Sequence, residues 1–257
     1  MTANFHDKVA MVTGAGSGIG REAAREFARR GALVYCADLN ERGLTETQEL
    51  ITQDGGNAHI ARTDVSAEDD VVALLARIDK EAGRLDVAFN NAGIVGGSHR
   101  FEDYPSADFD KVVRVNLRSI FLCMKYELPL LKRSGGGAIC NTASVAALTG
   151  PGGMCAYAAS KHGIHGLTRV ASMENGANKI RVNTVAPGWT ETPMVAAASA
   201  QNPAFAKQAV STLPARRGAQ PSEIAAAAVW LCSMQASYVF GQMLVVDGGM
   251  TIGGFEL

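Results

Sequence analysis

The sequence predicts an α/β fold in which a parallel sheet is covered by helices on both faces. Three observations carry this. Short apolar runs alternate with longer amphipathic segments along the whole chain. Several of those runs lack polar alternation, as strands buried on both faces must. The first run ends in a glycine-rich turn that opens directly into a helix.

The elements follow in order. Val9–Val12 is a buried strand, and a helix covers about Gly18–Arg30. Leu33–Ala37 and Asn40–Gln53 make the second strand and helix, Ala58–Arg62 and Ala67–Ala82 the third. Leu85–Phe89 is a fourth strand ending in Asn90-Asn91-Ala92-Gly93, and one long helix covers Ser106–Lys132. Ala138–Asn141 is a fifth strand before a helix over Cys155–Glu174, and Ile180–Val185 a sixth. A helix over Pro221–Cys232, with Pro and Ser at its start, precedes a seventh strand, Met243–Val246. Pro187–Arg217 is too long for an ordinary connection and is expected to hold an active-site lid over 189–217. The 257 residues read as one domain, 1–257, with no repeat or low-complexity linker.

Composition removes some classes of function. Charged residues make up 19% and the formal net charge is -1, so nothing suggests a nucleic-acid partner. No apolar stretch approaches the roughly 18 residues needed to span a bilayer, and no secretory leader is visible. A cytoplasmic protein without membrane attachment is expected. The five cysteines, Cys36, Cys123, Cys140, Cys155 and Cys232, lie among apolar residues with no CxxC pair. They read as small core hydrophobes, and no metal site is expected.

The turn Thr13-Gly14-Ala15-Gly16-Ser17-Gly18-Ile19-Gly20 suits a dinucleotide. Glycines let the backbone approach a pyrophosphate, whose charge sits at the helix N-terminus. The spacing runs through Gly14, Gly18 and Gly20 and differs from GxGxxG. Asp38 ends the second strand, where a carboxylate accepts hydrogen bonds from ribose hydroxyls. It would repel a 2′-phosphate at a cost of roughly 1–4 kcal/mol at about 4 Å. Neither Ser17 nor Leu39 is a cation that would partner such a phosphate. NAD is therefore expected over NADP, unless Asp38 only caps the next helix. Asp64 ends the third strand and suits an adenine amino group, or a loop cap.

Tyr157-Ala158-Ala159-Ser160-Lys161 puts a phenol and an ammonium one turn apart on one helical face. A phenol titrates near pH 10, and a neighbouring ammonium is expected to favour its phenolate. Tyr157 can then trade a proton with a substrate oxygen while hydride moves. Ser144, in Asn141-Thr142-Ala143-Ser144, follows the fifth strand and reaches the same oxygen from a loop, unless it merely caps a turn. Asn116 lies mid-helix, where its amide competes for backbone bonds. It reads as a local distortion with a water leading to Lys161, or simply as an exposed residue.

With these residues in place, the chain resembles the short-chain dehydrogenase/reductase superfamily, in its branch of roughly 250 residues, over nearly its whole length. The likeness rests on Thr13–Gly20, Asp38, Asp64-Val65, Asn90–Gly93, Asn116, Ser144, Tyr157/Lys161, Pro187-Gly188 and Val246-Asp247-Gly248-Gly249. It implies a Rossmann fold of seven parallel strands in order 3-2-1-4-5-6-7. Asn116, Ser144, Tyr157 and Lys161 would form a catalytic tetrad, with Lys161 also on the nicotinamide ribose. Cofactor contacts would come from Gly14, Ser17, Gly18, Ile19, Gly20, Asp38, Leu39, Asp64, Val65, Asn91, Ala92, Gly93, Tyr157 and Lys161. Pro187, Gly188, Thr190 and Thr192 match the segment that binds the carboxamide, with Thr190 where the family usually has Ile or Val. The resemblance further implies a homotetramer or homodimer built on the long fourth and fifth helices and the C-terminal strand, an interface that the 250–257 tail could join.

The function expected is NAD(H)-linked interconversion of a small secondary alcohol and a ketone. Ser144, Met154, Tyr157 and Trp189 are expected on the substrate, a neutral and moderately apolar molecule. His99 and Arg100 are polar candidates nearby. One alternative is an NADPH-dependent 3-ketoacyl carrier-protein reductase. Another is a protein that binds NAD(H) for regulation without catalysis.

Overall fold

A computed structural model describes residues 4–201, 207 and 209–252. One sheet of seven parallel strands runs in the order β3-β2-β1-β4-β5-β6-β7. Its strands are β1 (Val9–Thr13), β2 (Leu33–Asp38), β3 (Asn57–Arg62), β4 (Val87–Asn90), β5 (Gly137–Thr142), β6 (Ile180–Pro187) and β7 (Met243–Val246). The helices are α1 (Gly18–Arg29), α2 (Glu41–Gln53), α3 (Glu68–Ala82), α4 (Ser106–Val113), α5 (Ser119–Arg133), α6 (Cys155–Asn175), α7 (Pro193–Gln201) and α8 (Pro221–Cys232).

Alternating residues of each central strand feed two separate cores. Ala10 and Val12 of β1 join Phe89 and Cys140 against Phe27 of α1 and Ile224 of α8. Met11 joins Ala88 and Ile139 against Leu74 of α3, Leu122 of α5 and Ile164 of α6. Both faces are dry, which explains why these strands read as continuous apolar runs. Of the cysteines, Cys36, Cys123, Cys140 and Cys232 are buried and Cys155 is half-buried; all are free thiols.

Local signals set the helix ends. Asn40 caps α2 by accepting the Gly43 N–H at 3.0 Å. α3 begins with Glu68, Asp69 and Asp70 at the positive end of its dipole and stops at Gly83, whose φ is 67°. α8 opens with Pro221, and Glu223 accepts the Gln220 N–H at 2.8 Å.

The long helix expected over Ser106–Lys132 is interrupted. Between α4 and α5, Arg114–Arg118 form one π turn around Asn116. The lid stretch contains α7 and a bridge between Thr190 and Ala219. Residues 202–206, 208 and 253–257, parts of the expected lid and tail, lie outside the described residues. No helix among the described residues is long and apolar enough to cross a membrane.

Sheet order reverses between β1 and β4, whose neighbours β2 and β5 lie on opposite sides. A crevice opens there beyond the strands' C-terminal ends, the usual ligand position in such sheets.

Candidate active site

The crevice is a cleft of about 560 Å³ along the C-terminal edge of the sheet. That size suits a dinucleotide with a small substrate. At the end of β1 the buried Thr13 joins that strand to the chain after β4. Its hydroxyl accepts the N–H groups of Asn91 at 2.9 Å and Ala92 at 3.2 Å, and the Asn91 amide donates to its carbonyl at 3.3 Å. Gly14 and Gly18 have φ of 67° and 52°, a conformation that side chains oppose. Gly20 is needed for a different reason. A Cβ there would lie 2.1 Å from the Gly14 carbonyl oxygen, so it lets α1 pack on the turn and does not line the cleft.

Asp38 sits on the rim. Its carboxylate accepts the Gly16 N–H and the Asn40 N–H, both at 2.9 Å. Asn40 is the cap of α2, so Asp38 is not spent on that helix. Leu39, Asp64 and Val65 line the same end. Asp64 is held by accepting the Ser66 N–H at 2.9 Å.

Farther along, Ser144, Tyr157 and Lys161 line the cleft together with Asn91, Ala92, Gly93, Pro187, Gly188, Thr190 and Thr192. Ser144 leaves β5 just past its end, and its hydroxyl accepts the Ala146 N–H at 3.2 Å. It also hydrogen-bonds Tyr157, which favours the phenolate, but burial of the phenol is the larger influence and pushes its pKa up. The expected lowering by Lys161 does not operate in this geometry. The Lys161 ammonium donates to the Thr142 carbonyl at 2.8 Å and stands 5.6 Å from the centre of the Tyr157 ring. Burial pushes Lys161 itself down to about 8. The unliganded tyrosine is therefore a neutral phenol, an acid ready to donate.

Asn116 is fully buried, which removes the exposed reading. Its oxygen accepts the Ile94 N–H and its amide donates to the Ile94 carbonyl, both at 2.8 Å. The amide also reaches the Ser160 hydroxyl at 3.2 Å. A side chain thus holds both polar groups of Ile94 in the strip that follows β4, and the π turn is what aims it there.

Met154 and Trp189 do not line the cleft. Met154 precedes the first turn of α6. Trp189 packs over Gly218, where an added Cβ would meet the indole at 2.9 Å. Ile94, Arg114, Val115 and Met194 line it instead. Met194 lies in the expected lid and Ile94 directly follows the Asn90–Gly93 stretch, so the sequence pointed to both, and Val115 neighbours the mid-helix Asn; Arg114 carried no signal of its own. No trio of metal-ligating side chains occurs among the described residues.

The donor set fits a nicotinamide dinucleotide: bare glycine backbone at a helix start, a ribose-type carboxylate, and a Ser/Tyr/Lys cluster at the far end. Fold and cleft together define the class, a dinucleotide-linked oxidoreductase.

Comparison with known proteins narrows the class. The family model described as enoyl-(acyl carrier protein) reductase matches residues 14–251. A levodione reductase of Leifsonia aquatica is 38% identical, covering 97% of this chain and 96% of the relative. A cyclohexanol dehydrogenase of an Acinetobacter species is 38% identical, with 98% of each covered. The solved structure of a 7α-hydroxysteroid dehydrogenase, complexed with NADH and 7-oxo glycochenodeoxycholic acid, superposes with a TM-score of 0.90 at 37% identity, covering 96% of this chain and 95% of that one. The chain belongs to the short-chain dehydrogenase/reductase superfamily.

Proposed function

We propose that this protein interconverts a secondary alcohol on a carbon ring and the matching ketone, using NAD(H). One observation carries the reading: Ser144, Tyr157 and Lys161 line the same cleft as the glycine turn and Asp38. The bound dinucleotide would supply a hydride acceptor or donor at its nicotinamide. Ser144 holds the substrate oxygen by a hydrogen bond. In ketone reduction the Tyr157 hydroxyl gives that oxygen its proton; in alcohol oxidation the phenolate takes it back. Lys161 is fixed by Thr142 on β5, so its charge faces the ribose end of the site. Asn116 holds Ile94, which lines the cleft.

NAD is favoured because Asp38 presents a carboxylate on the rim, anchored by two N–H groups. A 2′-phosphate placed there would meet like charge at close range. The ring alcohol is favoured by an apolar cleft and by relatives named for cyclohexanol and a hydroxysteroid. Phe121, Val170 and Met173 are 48%, 57% and 87% exposed on α5 and α6, which supports self-association through those helices.

The carrier-protein reading has the family description in its favour. Asp38 opposes its phosphorylated cofactor, and a net charge of -1 offers no basic dock for an acidic carrier. A panel of ring, linear, steroid and sugar alcohols, each with NAD+ and NADP+ at equal concentration, tests the proposal. It predicts turnover of ring alcohols with NAD+ ahead by at least about tenfold, near 1.4 kcal/mol. Preference for NADP+, or for a ketoacyl thioester, would overturn it.

A further inference from the structure

Behind the strip that lines the cleft lies a buried acid with no part in the chemistry above. Glu127, on the inner face of α5, has no exposed surface. Its Oε2 accepts from the Asn90 amide nitrogen at 3.1 Å. That nitrogen uses its other hydrogen on the Asn141 oxygen, at 3.0 Å. The Asn141 amide in turn donates to Thr168 Oγ1 at 2.9 Å, and Thr184 donates to the same hydroxyl at 3.0 Å. Two buried atoms of this network have no partner: Glu127 Oε1 and Asn90 Oδ1.

An ionised carboxylate here would be a buried charge with no ion-pair partner, a strongly unfavourable state. A single proton on Oε1 removes the charge and supplies the donor that Asn90 Oδ1 lacks. The existing Asn90–Glu127 Oε2 bond would then be joined by a second, antiparallel one. We propose that Glu127 is held as a neutral acid paired two-point with Asn90, and that it is a positioning residue for the Asn90–Gly93 strip of the cofactor cleft. The connection is short. Asn91 follows Asn90 and accepts from Thr142 Oγ1 at 3.3 Å, and the carbonyl of Thr142 holds Lys161.

Burial pushes the Glu127 acid up to about 8, against a small downward pull from Asn90. Cys123, one turn earlier on α5, is a titratable neighbour, and burial, with the nearby Glu127 adding to it, keeps that thiol well above its ordinary range. From β4, β5 and α6 the side chains hydrogen-bonded into the network are Asn90, Asn141 and Thr168, none of them charged.

The positioning role rests on the strip contacting a dinucleotide; the protonation does not. Infrared spectra of the whole protein near pH 6 are expected to show an un-ionised carboxylic carbonyl band that E127Q lacks. Between the ordinary glutamate value of 4.5 and about 8 the folded protein holds a proton the unfolded chain has lost. Wild-type Tm is therefore expected to fall across that window relative to E127Q, whose amide makes the same two bonds without titrating. E127M leaves Asn90 unpaired and is expected to weaken NADH binding about tenfold, with E127Q restoring most of it. No carboxylic band, or Tm–pH curves that run parallel, would overturn the proton. Unweakened NADH binding in a folded E127M would overturn the positioning role. If wild type binds no dinucleotide, the proposed function fails while the infrared and Tm results still decide the protonation.

Discussion

Lys161 is tethered to Thr142, with its ammonium 2.8 Å from that carbonyl, and not to the hydroxyl of Tyr157. The lysine is thus built into the end of β5, where it faces the cleft with a fixed position. Its burial lowers its own pKa to about 8, while burial raises that of Tyr157. Both shifts favour uncharged forms. At about 8 the Lys161 ammonium is still mostly charged at neutral pH, but it stands 5.6 Å from the Tyr157 ring centre, and a bound oxidised nicotinamide would add further positive charge to the site.

The two directions of the reaction should therefore separate with pH. Ketone reduction uses the neutral phenol and is expected to hold through neutral pH and decline on the alkaline side. Alcohol oxidation needs the phenolate and is expected to climb with pH. Profiles of kcat/KM in both directions check this; an oxidation rate already flat from pH 6 would contradict it.

Removing the rim carboxylate should relax the cofactor choice. D38A takes away the charge that opposes a 2′-phosphate, worth roughly 1–4 kcal/mol. The ratio of NADPH to NADH affinity is expected to rise about tenfold or more, with most of the change on the NADPH side. Titration of both cofactors by fluorescence measures it.

Asn116 should matter for stability as well as turnover. N116A removes the partners of the half-buried Ile94 N–H and carbonyl, hydrogen bonds worth about 0.5–1.5 kcal/mol each. A fall in Tm is expected, together with a larger loss of turnover than of NADH affinity. A Tm equal to wild type would contradict the role given to the π turn.

Glycine at position 20 should tolerate no side chain. In G20A the new methyl would collide with the Gly14 backbone, so the turn must open. Loss of NADH binding, read by the same titration, is the expected outcome even where circular dichroism shows a folded protein.

A parallel sheet buried on both faces and the glycine turn at its first strand were legible in the residues, while the strand order came only through the family resemblance. Apolar runs such as Val9–Val12 fix a strand buried on both faces, and Gly14 and Gly18 mark a turn that only glycine makes. Asn116 was legible as a distortion because an amide is costly mid-helix, although the bonds it makes to Ile94 depend on contact across the fold. Hidden features share that tertiary origin. The Thr142 carbonyl that holds Lys161 is backbone, so no residue type announces it. Trp189 looked like a substrate wall by its position after β6, yet Gly218 leaves room for the indole to pack away from the cleft. Glu127 lies in a helix that reads as amphipathic, and its burial follows only from the polar side chains of β4 and β5 beneath it.

The central claim is that the Tyr157 hydroxyl passes a proton to and from a substrate oxygen at this cleft. Y157F removes one oxygen atom and leaves the ring, the glycine turn and Asp38 in place. The measurement is turnover of the best ring alcohol alongside the Kd for NADH. The account predicts turnover lowered by about 10²–10⁴-fold with Kd nearly unchanged. Turnover at the wild-type rate with the same Kd would contradict it.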